Sequence, residues 1–188
     1  MDDDNTLRQA LRRETQQLHD RLDSRFANGD MGDRDEYVTF LAMQYAARAP
    51  VERWLNGFES EAPVPSSLPL LEGDLRALGR ALPDEAPFTP PMHGDTTGAI
   101  WALAGSSLGN AMMRKQVMRA NPDLPTAFLS DGALPRFWRD IRPTLDTVVD
   151  PDREERAVAS AREVFRCFLA AATRPNNKTE NQKVAGTA

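Results

Sequence analysis

With one cysteine in 188 residues, this chain can form no internal disulfide, and Cys167 fits a reducing compartment. Two histidines argue against a structural zinc site. They also argue against a di-iron bundle, which draws on two Glu-x-x-His pairs, and the sequence contains none. No apolar stretch is long enough to span a bilayer, because Ser, Gly, Asn or a charge breaks each one. The opening MDDDNT has neither a basic nor an apolar region, so no secretory signal is expected and the reading is cytoplasmic. Positive charge is also in deficit: 23 basic against 28 acidic residues leave a net charge of −5. A basic footprint for non-specific nucleic-acid binding is therefore missing. Arg153, Arg156, Arg162 and Arg166 do cluster, but Glu154, Glu155 and Glu163 are interleaved with them, the pattern of a solvated helix face. Alternating strand patterns, internal repeats and heptads are absent.

What the sequence does hold is helical periodicity, and it predicts an all-α, single-domain bundle over residues 1–173. Asn5 or Thr6 can cap a first helix with apolar positions Leu7, Leu11, Leu18, Leu22 and Phe26, ended by Gly29. Asp33 with Glu36 opens a second helix in the manner of a capping box, and Pro50 should kink or interrupt it. A third helix is expected after Ser67, through Leu71, Leu75, Leu78 and Leu82. Four prolines make 83–95 a long irregular connection. Asp95 or Thr96 then caps a helix running to about Met118. Two more follow, at about 126–148 with an interruption near Gly132, and at about 152–173. The polar tail 174–188 reads as disordered.

The helix from Thr96 to Met118 is the most informative segment. Gly98, Gly105 and Gly109 are offset by seven and then four residues. At about 100° per residue they fall on one stripe. A glycine inside a helix costs about 1 kcal/mol against alanine, so something must approach the backbone closely. Either another helix crosses there or a flat ligand lies on the bare main chain. In the first helix His19 shares a face with Thr15, Leu22 and Phe26. A buried imidazole there needs a hydrogen-bond partner or a metal. Arg12 lies two turns earlier on nearly the same face. A ligating imidazole with a guanidinium about 10 Å along the axis suits a planar cofactor bearing carboxylates at its rim. His93, in PPMHGD, reads as an exposed loop residue, and Cys167, between Phe165 and Phe168, as an inert core thiol.

LRRETQQLHDRLDSRF resembles the opening helix of heme oxygenases, and IWALAGSSLGNAMM resembles their distal helix. DLRALG before that helix, and FWRDI and AREVFRCF after it, follow the same order. The likeness covers about residues 7–170 and is nearest to the bacterial, biliverdin-producing branch. It implies His19 as the proximal iron ligand and Arg12 as a propionate partner, with Arg142 and Arg139 as further basic partners. Thr15 and Leu108 become additional cofactor contacts. Gly105 and Gly109 would let the distal backbone lie over the heme face, with Ser106 beside them as a candidate for handling protons. Trp101, Ala104 and Asn110 depart from the bacterial pattern, where tyrosine, glutamate and a second glycine are common. Ser106 stands where animal-type enzymes carry an aspartate.

The activity implied is oxidative cleavage of heme to biliverdin by O2, releasing iron and carbon monoxide, with heme both cofactor and substrate. No flavin or nicotinamide motif is present, so electrons would come from an external reductase or ferredoxin. The resemblance also implies a bilin-accepting protein as a further partner. Two alternatives stay open. One is a heme-binding, delivery or sensing protein of the same fold without turnover. The other is a helical interaction protein whose glycines serve helix crossing alone.

Overall fold

The structure, a computed structural model, describes residues 6–26, 29–58 and 63–173; the expected tail lies outside them. Among the described residues the secondary structure is wholly helical: α1 Leu7–Phe26, α2 Arg34–Leu55, α3 Leu68–Ala77, α4 Thr96–Gly105, α5 Asn110–Ala120, α6 Ala133–Leu145 and α7 Pro151–Ala172. Short 3₁₀ turns occupy Ser106–Gly109 and Phe128–Ser130.

Helix starts follow the expected chemistry. The Asp33 carboxylate accepts from the N–H groups of Asp35 and Glu36, and that of Asp95 from Thr97. Asp150 accepts from Arg153, with Pro151 in the first turn where its missing N–H is harmless. α3 ends earlier than its leucines suggest. Gly79 adopts φ +65° and Arg80 N–H returns to the Leu75 carbonyl, closing the helix in a left-handed cap before Leu82.

Pro50 does not interrupt α2, which runs unbroken to Leu55. A proline leaves the carbonyl four residues back without its helical donor. Here that carbonyl, on Ala46, accepts from Ala86 N–H at 2.8 Å. The proline-rich connection supplies the missing bond and is docked by it.

The expected single helix from Thr96 to Met118 is instead divided. Ser106 and Ser107 donate their hydroxyls back to the carbonyls of Leu103 and Ala104, at 2.7 and 2.6 Å. Such back-bonding competes with the α-helical ladder, and the chain tightens into 3₁₀ form through Gly109 before α5 resumes. The helix expected over about 126–148 is shorter: α6 spans Ala133–Leu145, with only the 3₁₀ turn Phe128–Ser130 ahead of Gly132.

α7 is the central strut and packs against α1, α2 and α4. Its AVASA run presents little beyond Cβ atoms, so α4 comes close. A Cβ on Gly98 would lie 1.8 Å from the Ala157 carbonyl oxygen. The main core joins α2, α3, α4 and α7. A second cluster gathers Leu7 and Leu11 of α1, Leu145 of α6 and Ala157, Val158 and Ala161 of α7, with Trp101 and Trp138 against it. Among the described residues no helix is long and apolar enough to cross a membrane.

Candidate functional site

The glycine stripe divides in two. Gly98 serves the α4–α7 crossing. Gly105 has only the Trp138 ring near the position of a side chain, at 3.6 Å, and Gly109 has nothing within 4 Å. Around them Ser106, Leu108 and Met112 are exposed, the last two at 59% and 70%. The 3₁₀ turn thus offers bare main chain beside uncovered apolar side chains. Ala104, in contrast, is fully buried against Leu134 and Phe137 of α6, a setting in which a carboxylate would need a partner.

His19 departs from expectation. It is not a core histidine: its side chain is 52% exposed, because α1 is fully buried only at Leu7, Ala10, Leu11 and Thr15. Beyond Thr15, the apolar positions Leu18, Leu22 and Phe26 are half-covered, so this end of the stripe has no complete lid. Nδ1 stands 3.1 Å from Asp23 Oδ2. A carboxylate there favours the proton on Nδ1 and leaves the Nε2 lone pair for a ligand, as with the outer partners of metal-bound histidines. The imidazole lies edge-on to Phe165 of α7 at 5.9 Å, and Trp101 of α4 meets the same ring at 6.3 Å. One phenylalanine therefore links the histidine to the helix turn just ahead of Gly105.

The basic residues fall into two groups. Arg12 and Arg139 are exposed and have no ion pair among the described residues. Arg142 pairs with Asp146 at 3.3 Å, and the same carboxylate takes Arg8, one turn before Arg12. Hydrogen bonds from Arg8, helped by Arg142, hold the Asp146 carboxyl below its usual range. Arg142 is thereby tied to α1, while nothing joins Arg139 to the other candidates. Thr15 is buried, and its hydroxyl is spent on the Leu11 carbonyl at 2.7 Å; it packs the helix and presents no polar group outward. His93 is exposed as expected, and Cys167 is buried with its thiol 3.5 Å from the Ala47 carbonyl.

Sequence reasoning missed the polar groups beneath the turn. Arg48 of α2, 1% exposed, donates from Nη2 to Ser106 Oγ at 2.6 Å and from Nε to Gln44 Oε1 at 3.1 Å. Burial works against its charge, and the Glu52 and Asp131 carboxylates work for it. Burial also raises Glu52 above the usual carboxylate range, against the pull of Ser66, Arg48 and Ser67. The signal was present: Gln44, Arg48 and Glu52 recur every four residues along the apolar stripe of Tyr37, Leu41 and Tyr45.

Neither a search of protein-family models nor one of curated proteins finds a match for this chain. Among solved structures it is similar to the NO- and CO-bound heme oxygenase from Neisseria meningitidis, with a TM-score of 0.71 and 22% identity. The match covers 89% of this chain and 90% of that one. The chain has the all-helical fold of that bacterial heme oxygenase.

Proposed function

We propose that this protein binds heme and, with O2 and electrons from an external reductase or ferredoxin, degrades it to biliverdin, iron and carbon monoxide. The observation that carries this reading is the break at Ser106–Gly109, which leaves open space over Gly109 in a fold shared with a heme oxygenase. The residues fit such a group. A flat macrocycle can approach a backbone without side chains, and Leu108 and Met112 offer apolar contact beside it. Among the described residues no three His, Cys, Asp or Glu side chains gather as a metal site. An iron here would need most of its ligands from elsewhere, as a porphyrin provides, with one from the protein.

In this reading His19 Nε2 holds the iron, and Asp23 keeps the ring in the ligating tautomer. Arg12 and Arg142 hold the propionates, with Arg139 an additional positive charge on α6. Thr15 contributes by fixing the packing of α1. Bound heme supplies the iron that activates O2 and is itself the molecule oxidised. The bare turn at Gly109 would give a bound ring room to lie against main chain and would limit how it can be oriented there. Exposed main-chain groups of the turn and ordered water are then the available hydrogen-bonding partners.

Hemin titration should give a Soret band that His19→Ala weakens or shifts. Aerobic incubation of the hemin complex with a reductase system should yield a bilin on chromatography. A second reading, a heme carrier or sensor without turnover, draws support from the distal chemistry: Ala104 is apolar and the Ser106 proton is engaged by Leu103. Hemin binding without bilin formation would favour it.

A further inference from the structure

Below the 3₁₀ turn lies a buried cation whose position neither helix packing nor heme ligation requires. Arg48 makes contact with three elements at once: Gln44 on its own helix, Ser106 in the turn, and the Phe128 ring, 5.4 Å from its guanidinium carbon. Glu52 is 3.9 Å from Nη1, too far for a hydrogen bond, and is itself engaged by Ser66 Oγ at 2.6 Å. Asp131 approaches from the segment before α6; its Oδ1 accepts from Ala133 N–H, and its Oδ2 is buried without a partner. The guanidinium's closest bond is therefore neither to Glu52 nor to Asp131 but to a serine hydroxyl at the surface.

That hydroxyl is fixed from both sides. Ser106 Oγ donates to the Leu103 carbonyl at 2.7 Å and accepts from Arg48 at 2.6 Å. The donated bond draws the chain out of α-helical register. The accepted one orients the oxygen's lone pair toward Arg48 and so keeps the hydroxyl in the rotamer that makes the first bond. Without Arg48, an exposed serine would be free to turn to solvent, and the segment would no longer be held in one hydrogen-bonded form.

We propose that Arg48 is the positioning residue of the distal turn: through Ser106 it holds 106–109 in the tightened form that bares Gly109, and it keeps the serine proton away from the open face. The holding of the turn belongs to the ligand-free protein; only its consequence for a bound ligand rests on the heme reading. Arg48→Lys should compensate only partly, since an ammonium lacks the fork that reaches Gln44 and Ser106 together.

Amide hydrogen exchange in the ligand-free protein tests the first half. Ser106→Ala and Arg48→Met should each speed exchange at 106–110 by about tenfold, while amides of Val164 and Phe168 in α7 keep their rates. The double variant should be no faster than Arg48→Met alone, since both act through one contact. Should Arg48→Met fail to fold, Ser106→Ala decides by itself; unchanged exchange in that variant overturns the proposal, as does full additivity in the double variant. For the second half, the C–O stretch of the ferrous carbon monoxide complex should shift in Ser106→Ala and Arg48→Met in the same direction. An unmoved stretch refutes the effect on the ligand face. If the wild-type protein takes up no hemin, the heme reading fails while the exchange rates still decide the role of Arg48.

Discussion

Replacing Gly98 and Gly109 by alanine, one at a time, should move stability in opposite directions although sequence periodicity assigns both to one stripe. Any Gly→Ala change inside helical backbone gains about 0.5–1 kcal/mol, chiefly from reduced chain entropy when unfolded. At Gly109 nothing opposes that gain: φ is −80°, ψ is −17°, and no atom lies within 4 Å of the new Cβ. The melting temperature should rise by about 1–4 °C. At Gly98 the Cβ would lie 1.8 Å from the Ala157 oxygen and 2.6 Å from its carbonyl carbon, both backbone atoms with no flexible end to yield. α4 and α7 would have to part by about 1.5 Å to restore ordinary contact. Overpacking of that kind costs up to about 3 kcal/mol, which at a backbone-to-backbone clash outweighs the propensity gain and should lower the melting temperature by up to about 10 °C. Thermal unfolding followed by circular dichroism reads both changes. Hemin titration adds the functional half. Gly109→Ala should weaken binding about tenfold, or about 1.4 kcal/mol, while folded Gly98→Ala binds as the wild type does. Melting shifts of the same sign would refute the division of the stripe, and undiminished hemin affinity in Gly109→Ala would remove the turn from the ligand face.

Asp23→Asn should reduce hemin affinity by about 10–100-fold, the usual loss on removing an outer partner of a metal-bound histidine; an unchanged titration curve would show that Asp23 does not orient the ring. Asp95 both caps α4 and pairs with Arg153 of α7 at 3.0 Å. Burial pushes its carboxyl up, but the Thr97 hydrogen bonds and Arg153 outweigh this and hold it below the usual value. A depressed folded-state value means stability that is present above the unfolded pKa, about 3.9, and lost as pH falls through the folded one. Asp95→Ala should therefore cost about 1 kcal/mol or more at pH 7, and urea unfolding should show the cost shrinking below about pH 4; a pH-independent difference would contradict the linkage. Gly79→Ala forces a side chain into φ +65° and should cost about 1 kcal/mol in the same assay, with no effect on hemin binding.

Several helix starts could be read directly, because a cap is local: Asp33 and Asp95 each bond donors two or three residues ahead. Places where the chain's course depends on a distant group could not. The continuity of α2 through Pro50 relies on the bond from Ala86 to Ala46, forty residues apart, with Ala86 in the irregular connection. The break after Gly105 could have been suspected from two serines with a free choice of carbonyl, but a periodic apolar pattern weighs the whole segment as one helix. His19 was placed on the apolar face correctly and expected to be buried, which it is not, since periodicity gives a direction and not what lies in that direction.

Residue spacing alone determined that this chain is helical and where α1, α2, α4 and α7 begin, for these follow from 3.6 residues per turn and local hydrogen bonding. Only the tertiary structure decided that Gly98 meets a neighbouring backbone while Gly109 meets open space. It alone brought Arg48 beneath Ser106, fifty-eight residues away. Packing selects among faces that a single helix leaves equivalent, and a buried charge is settled by the partners that folding brings to it.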